Sequence, residues 1–145
     1  MSRGPTGALR FHASSVAVEG RGLLIRGASG SGKSSLALDL VARGARLVSD
    51  DITQVTTGAE GLPILSSPGR MDGVIEARGV GLLRVPFAGQ APLTLVVDMD
   101  IAETDRLPPE RTTRIGAHEV PCLHRVDNPA FPAAIWTLMI GGRVA

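Results

Sequence analysis

The sequence predicts an α/β fold, a single phosphate-loop (P-loop) domain with a mixed, strand-rich sheet. Three observations predict it. An apolar run at 22–26 leads into the glycine-rich turn 27–32 and then into a helical pattern over 33–43, the strand–loop–helix order of a phosphate-binding unit. The most strand-like run of the chain, Leu93-Thr94-Leu95-Val96-Val97, ends at Asp98. The 18 Gly and 10 Pro are scattered and cut the remainder into short strand-like pieces separated by turns.

Taken in order, residues 1–8 are small and polar and are expected to form a flexible N-terminus, with the domain running over 9–145. Residues 9–18 alternate weakly and suit one or two short strands. Gly22-Leu23-Leu24-Ile25-Arg26 reads as a buried strand. After the glycine turn, Leu36, Leu38, Leu40 and Val41 carry the helical pattern, and Gly44 stands at the C′ position. Arg46-Leu47-Val48 is a second short strand, closed by Asp50 and Asp51. Strand-like pieces follow at 52–56, 62–66, 72–77 and 80–86. Residues 101–118 are polar and contain prolines, which predicts a loop with little regular structure. A strand is expected at 120–124 and a final helix at 131–140, with Ile135, Leu138 and Met139 inward.

Composition removes several classes of function. The chain has 145 residues, of which 43% are hydrophobic, enough for one core that buries about two-thirds of the unfolded surface. Its net charge of +1 is no footprint for nucleic acid or an anionic membrane, and the absence of Tyr removes a common stacking platform for single strands. Cys122 is the one cysteine, so no disulfide framework is possible, and a reduced thiol in a cytoplasmic protein is expected. The opening residues have no signal-peptide h-region, and no apolar run is long enough to span a bilayer. Of the 15 basic residues, Lys33 alone is a lysine. Any task that needs a compact primary ammonium falls to it.

Gly27-Ala28-Ser29-Gly30-Ser31-Gly32-Lys33-Ser34 satisfies G-x-x-x-x-G-K-[ST] at every specified position, between the flanks the motif requires. Glycine lets backbone N–H groups turn toward a phosphate without a Cβ clash, and the helix N-terminus adds partial positive charge there. Lys33 is placed to reach the β- and γ-phosphates and Ser34 to offer its hydroxyl to Mg²⁺, with Ser35 following in the first helical turn. A Gly/Ser turn that merely caps a helix would share the glycines but not both flanks. The expected ligand is a nucleoside triphosphate or a related polyphosphate.

Such a loop needs carboxylates to hold the metal and activate a nucleophile. Asp50 and Asp51 close one strand, Asp98 and Asp100 close another, and Glu76 lies in Val-Ile-Glu-Ala-Arg-Gly. Strands of one parallel sheet end on the same side as the loop, so both pairs can face the phosphates. Neighbouring strand residues point to opposite faces, so one of each pair can aim at the ligand. The bland alternative for each pair is a strand-end turn or an N-cap. An apolar run closed by Asp favours Asp98, and spacing alone does not choose.

These residues resemble the catalytic domain of the bacterial HPr kinase/phosphorylase family. The likeness is carried by Gly-Ala-Ser-Gly-Ser-Gly-Lys-Ser-Ser-Leu-Ala-Leu-Asp-Leu-Val-Ala-Arg-Gly-Ala-Arg-Leu-Val-Ser-Asp-Asp from Gly27 to Asp51, and by Ile-Glu-Ala-Arg-Gly-Val-Gly-Leu-Leu-Arg from Ile75 to Arg84. Asp105-Arg106-Leu107, Glu119-Val120-Pro121 and Phe11-His12 add shorter matches. The resemblance implies a fold like the nucleotide-binding domain of phosphoenolpyruvate carboxykinase. It implies an ATP- and Mg²⁺-dependent serine kinase that modifies HPr, the phosphocarrier of the phosphotransferase system, and a homo-oligomer, a hexamer in that family. By position, Lys33 would contact the phosphates, Ser34, Glu76 and Asp50 would hold Mg²⁺, and Asp51 would be the general base. His12 and Arg106 would complete the site, Arg106 by stabilising the transferring phosphoryl group.

Two departures stand out. The family's longer members carry a further N-terminal domain, so a short form is expected. The arginine-containing loop linked to phosphorylase activity is matched here by Arg125-Val-Asp-Asn-Pro-Ala-Phe131, which lacks its arginines at their positions. The expectation is therefore a kinase with a weak or absent reverse reaction. The alternatives are a small-molecule kinase on a carboxykinase-like fold and a nucleotide-binding regulatory module without catalysis.

Overall fold

Residues 9–18 form one unbroken strand, because Ala13, Val16, Ala17 and Val18 find apolar partners on both faces. The computed structural model describes Ser2–Arg3 and residues 8–145. The segment expected to be flexible, 1–8, falls mostly outside the described residues. The elements in order are β1 (Ser2–Arg3), β2 (Leu9–Val18), β3 (Arg21–Arg26), α1 (Lys33–Ala42), β4 (Arg46–Ser49), β5 (Ile52–Thr57), β6 (Pro63–Ser66), β7 (Val74–Ala77), β8 (Gly81–Arg84), β9 (Gln90–Ala102), β10 (Thr112–Ile115), β11 (His118–Arg125) and α2 (Phe131–Gly141).

The sheet is mixed. β3 pairs parallel with β9, and β9 pairs parallel with β11. β2 runs antiparallel to β3, β4 and β5. Thus β3, β4, β9 and β11 all run one way, and their C-terminal ends meet at one edge. That edge carries the glycine loop after Arg26, the pair Asp50–Asp51 after Ser49, and Asp98 and Asp100 near the end of β9. Two long strands serve two sheet segments each. The pairings β2–β5, β5–β6, β6–β9, β9–β3 and β3–β2 close on themselves around a core that includes Leu24, Val55, Leu65 and Val96. A second core, with Leu23, Ile25, Leu40, Leu47, Val97 and Ile135, fills the space between the sheet and both helices. Each fully buried Leu or Ile there contributes roughly 2 kcal/mol by burial.

α1 buries Leu36, Ala37 and Leu40 on one face. It ends as the glycine requires: Ala45 N donates to Leu40 O and Gly44 N to Val41 O, both at 3.0 Å, with Gly44 at φ 121°. A Cβ at Gly44 would lie 3.2 Å from the Trp136 ring of α2, so chain reversal and helix packing make the same demand. α2 buries Phe131, Ile135 and Met139, four residues apart in turn, while Leu138 is half-buried.

The loop expected over 101–118 is partly wrong. β9 continues to Ala102, and β10 pairs antiparallel with β11 across a tight turn at Gly116 (φ 59°). Pro108 and Pro109 hide the strand in the sequence, yet Thr112, Thr113 and Ile115 suit a pleated ladder, and Ile115 is buried. No helix among the described residues is long and apolar enough to cross a membrane.

Candidate functional site

Backbone geometry builds the loop first. Gly27 sits at φ 154°, and a Cβ there would lie 2.7 Å from Ser31 Oγ and 3.0 Å from Met99 Cβ, so glycine alone fits against β9. Ser31 N donates to Ala28 O at 3.0 Å and closes the turn. α1 starts after Gly32 with no side-chain cap and no acid in its first turn. Its leading N–H groups remain for a ligand, and the helix dipole favours an anion. Lys33 Nζ donates to Gly27 O at 2.6 Å and Ala28 O at 3.0 Å, which folds the ammonium back over the loop.

The two aspartates after β4 point to different tasks. Asp50 Oδ1 accepts from Ser34 Oγ at 2.7 Å and from Ser14 Oγ at 2.8 Å, at the foot of the loop. Asp51 is exposed. Ile52 N donates back to Asp50 O at 2.9 Å, closing a three-residue turn centred on Asp51 at φ 73°. That conformation is rare and strained for a residue with a Cβ. Ala13 N holds it by donating to Asp51 O at 2.9 Å.

A cleft of about 430 Å³ is lined by Ser29, Gly30, Gly32, Lys33, Ser34 and Ser35 on one side and by Asp51, Glu76 and Arg78 on the other. Gly27, Ala28 and Ser31 shape the loop from beneath and do not line it. Glu76 stands on the exposed face of β7, whose buried face sets Ile75 and Ala77 into the protein. The Glu76 amide lies 3.4 Å from Asp50 Oδ2. Ser34, Asp50, Asp51 and Glu76 are hard oxygen donors beside the loop, the chemistry that Mg²⁺ prefers over a softer metal, while no three acidic, imidazole or thiol side chains among the described residues already converge as a metal site.

Asp98 and Asp100 are committed elsewhere. Asp98 is 7% exposed, and its Oδ2 accepts from Arg26 Nε and one terminal guanidinium nitrogen, both at 3.2 Å. Its Oδ1 accepts from Asp100 N at 2.9 Å. Asp100 Oδ1 accepts from Ala28 N at 2.9 Å, so this carboxylate pins the glycine loop to β9. His12 is exposed on β2, next to the Ala13 amide that holds Asp51. Arg106 is exposed in the turn after β9. Neither lines the cleft. The segment carrying Arg106 is anchored by Glu103, which accepts two hydrogen bonds from Arg111 at 2.9 Å and two from the amides of Thr104 and Asp105 at 3.1 Å. These donors hold the Glu103 carboxyl at about 2, well below the usual range. At the far end of the parallel strands, a cavity of about 350 Å³ between Arg21, Cys122 and Met139 holds none of the expected site residues. Burial pushes the Cys122 thiol up and keeps it neutral.

Residues 6–113 match the family described as HPr Serine kinase C-terminal domain. The chain belongs to this family. It is 48% identical over 77 residues to an HPr kinase/phosphorylase of Clostridium tetani, covering 53% of this chain and 25% of that protein. To one from Geobacillus it is 37% identical over 115 residues, covering 74% and 36%. The chain therefore spans well under half the length of the curated relatives it matches. The solved structure of an Hpr(Ser) kinase/phosphatase from Coxiella burnetii superposes with a TM-score of 0.76 at 27% identity, covering 91% of this chain and 88% of that one. The family match takes in the glycine loop, both aspartate pairs, Glu76 and Arg106, and stops before the segment 125–131.

No sequence motif singles out Arg78 or Arg70. Arg78 shares the cleft with Lys33. Arg78 follows β7 directly, in the turn after Ala77, and is exposed like Glu76 two residues before it.

Proposed function

We propose that this chain is an ATP- and Mg²⁺-dependent serine kinase domain that phosphorylates an HPr-like phosphocarrier, on a carboxykinase-like nucleotide-binding fold. The observation that carries the reading is the joint lining of one cleft by Lys33, Ser34, Asp51 and Glu76.

The triphosphate lies along the loop, with N–H groups from the start of α1 toward its β-phosphate. The Lys33 ammonium leaves the Gly27 and Ala28 carbonyls for the β- and γ-oxygens. Mg²⁺ held by Ser34, Asp50 and Glu76 would neutralise charge on the phosphates. The acceptor hydroxyl enters beside Asp51, which takes its proton as the oxygen bonds to the γ-phosphorus and the bond to the β-bridging oxygen breaks, releasing ADP. Backbone bonds fix the Asp51 residue in a strained turn at the cleft before substrate arrives. Arg78 is the guanidinium that already faces this cleft. His12 and Arg106 take the supporting roles that the family resemblance implies. The reverse reaction is weak, because Arg125 is the one arginine of 125–131 and its guanidinium is bound to Asp127 and to Met99 O. A cytoplasmic homohexamer belongs to the same reading.

Purified chain incubated with labelled ATP and HPr is expected to transfer label to an HPr serine. Lys33→Arg should lower that transfer at least about 100-fold, since a planar fork cannot replace a compact ammonium inside the loop. Normal ATP binding with no labelled serine would sink the reading.

A further inference from the structure

A second cleft, of about 530 Å³, opens from the first and shares Ser34, Asp51 and Glu76 with it. Its character is different. The first is bounded by the glycine loop and charged side chains. The second is walled by Ile52, Pro68, Met71, Val74 and Leu82, with Arg70 at the same wall. Met71 and Leu82 are each 62% exposed, and Val80, on the same β7–β8 ribbon, is 76% exposed. Apolar side chains therefore continue past the cleft onto the surface beside the general base.

The segment 67–73 that presents Met71 is a built turn. Gly69 N donates to Ser67 Oγ at 3.1 Å, and Ser67 Oγ donates to Asp72 Oδ1. Val74 N donates to Met71 O at 3.2 Å, and Val85 N donates to Gly73 O at 2.9 Å. Within it Met71 sits at φ 54°. Among the described residues, three non-glycine residues have positive φ: Glu19, in the β2–β3 turn, and Asp51 and Met71. The latter two both line this cleft. A long apolar side chain held outward in a disfavoured backbone conformation is what a reading surface requires and what a solvated turn does not. Arg70 makes no ion pair among the described residues.

We propose that Met71, Leu82 and Arg70 form the surface that reads the acceptor. The occupant is a protein segment that carries the acceptor serine, an apolar side chain close beside it to cover Met71 and Leu82, and a carboxylate within reach of Arg70. A small polar metabolite has no use for the apolar wall, nor for Met71 and Leu82, which stay mostly exposed at its edge. This inference rests on the proposed kinase reading and names how that site selects its partner.

The test uses the whole chain and HPr as the probe, with three measurements: affinity for a fluorescent ATP analogue, affinity for HPr, and steady-state transfer. Met71→Gly and Leu82→Ser should each raise KM for HPr about tenfold, with kcat within about twofold and nucleotide affinity unchanged. Met71→Gly should at the same time hold or raise the melting midpoint, because glycine relaxes the turn; a merely structural role would lower it. Arg70→Glu should weaken HPr binding to a similar degree, and reversal of one acidic residue in HPr should restore it. Unchanged KM in both apolar variants, with wild-type transfer intact, overturns the acceptor surface and leaves the kinase reading standing. Wild-type chain that binds the ATP analogue but neither binds nor phosphorylates HPr overturns both. Efficient transfer to a small hydroxylated metabolite, equally fast in Met71→Gly, overturns the protein acceptor in particular.

Discussion

One aspartate pair follows β4 and the other lies near the end of β9, on strands that run the same way to the same edge, yet in the proposed reading one pair is scaffold and the other faces the chemistry. Asp98 and Asp100 spend their oxygens on Arg26, on a β9 amide and on the Ala28 amide. Asp50 spends Oδ1 on the Ser14 and Ser34 hydroxyls and Oδ2 on the Glu76 amide, all of them beside the glycine loop, and Asp51 lines the cleft on a strained backbone. The difference teaches that an Asp after an apolar strand is only a location. What decides its work is which partners the fold gives it and whether it stands beside the cleft. Asp98, buried and engaged at both oxygens, holds structure. An exposed carboxylate on a rigid turn is free to take a proton.

The sharpest way to break this comparison is to remove one charge from each pair. Asp51→Asn keeps the turn and deletes the base, so transfer to HPr should fall about 10³-fold, or ~4 kcal/mol, with the melting midpoint unchanged. Asp98→Asn should show the opposite pattern. It leaves the half-buried Arg26 guanidinium without its counter-charge, costing about 2 kcal/mol of stability in urea unfolding, while the folded fraction still transfers phosphate at a near-normal rate. If Asp98→Asn abolishes transfer without destabilising the fold, the two pairs have been assigned the wrong way round.

The glycine loop, Lys33 and the helix behind them were legible in the sequence because they are local. Their turns and first helical residues answer to neighbours a few positions away. The split between the aspartate pairs was not legible, because its causes are distant. Asp50 is fixed by Ser14, 36 residues earlier, and Asp98 by Arg26, 72 residues earlier. β10 was hidden for a related reason: the prolines before it argue against a strand, and only its pairing with β11 outweighs them. Arg78 and Arg70 were obscured by composition. In a chain where arginine supplies nearly every positive charge, a surface arginine carries no signal until a cleft forms around it.

A smaller effect sharpens the role of Asp100. Asp100→Ala frees the Ala28 amide and untethers the loop from β9, which should cost about 1 kcal/mol of stability. Nucleotide affinity should drop about threefold to tenfold, since a loose loop must be ordered again by the ligand, while kcat at saturating ATP changes little. Calorimetric titration with a non-hydrolysable ATP analogue separates the two. A loss of kcat at unchanged affinity would place Asp100 among the groups that touch the reacting phosphate.

The mildest test lies away from the cleft, at the anchor of the Arg106 segment. Glu103 titrates near 4.5 in the unfolded chain but at about 2 in the folded one, where Arg111 and two amides stabilise its charge. Between those values the unfolded state binds the proton and the folded state does not, so acidification favours unfolding. The contribution is fully present above about pH 4.5 and is lost as pH falls toward 2. Urea midpoints of the wild type should therefore fall faster than those of Glu103→Gln across this window, and the two curves should converge at its acid end. Parallel curves would show that the donors around Glu103 do not favour its charged form. Because Glu103 stands well apart from Lys33 and Asp51 in the chain and does not line the cleft, transfer at neutral pH should change only if the anchored segment brings Arg106 to the acceptor. A kinetic loss in Glu103→Gln without a matching loss of nucleotide affinity would then be the first sign that Arg106 takes part.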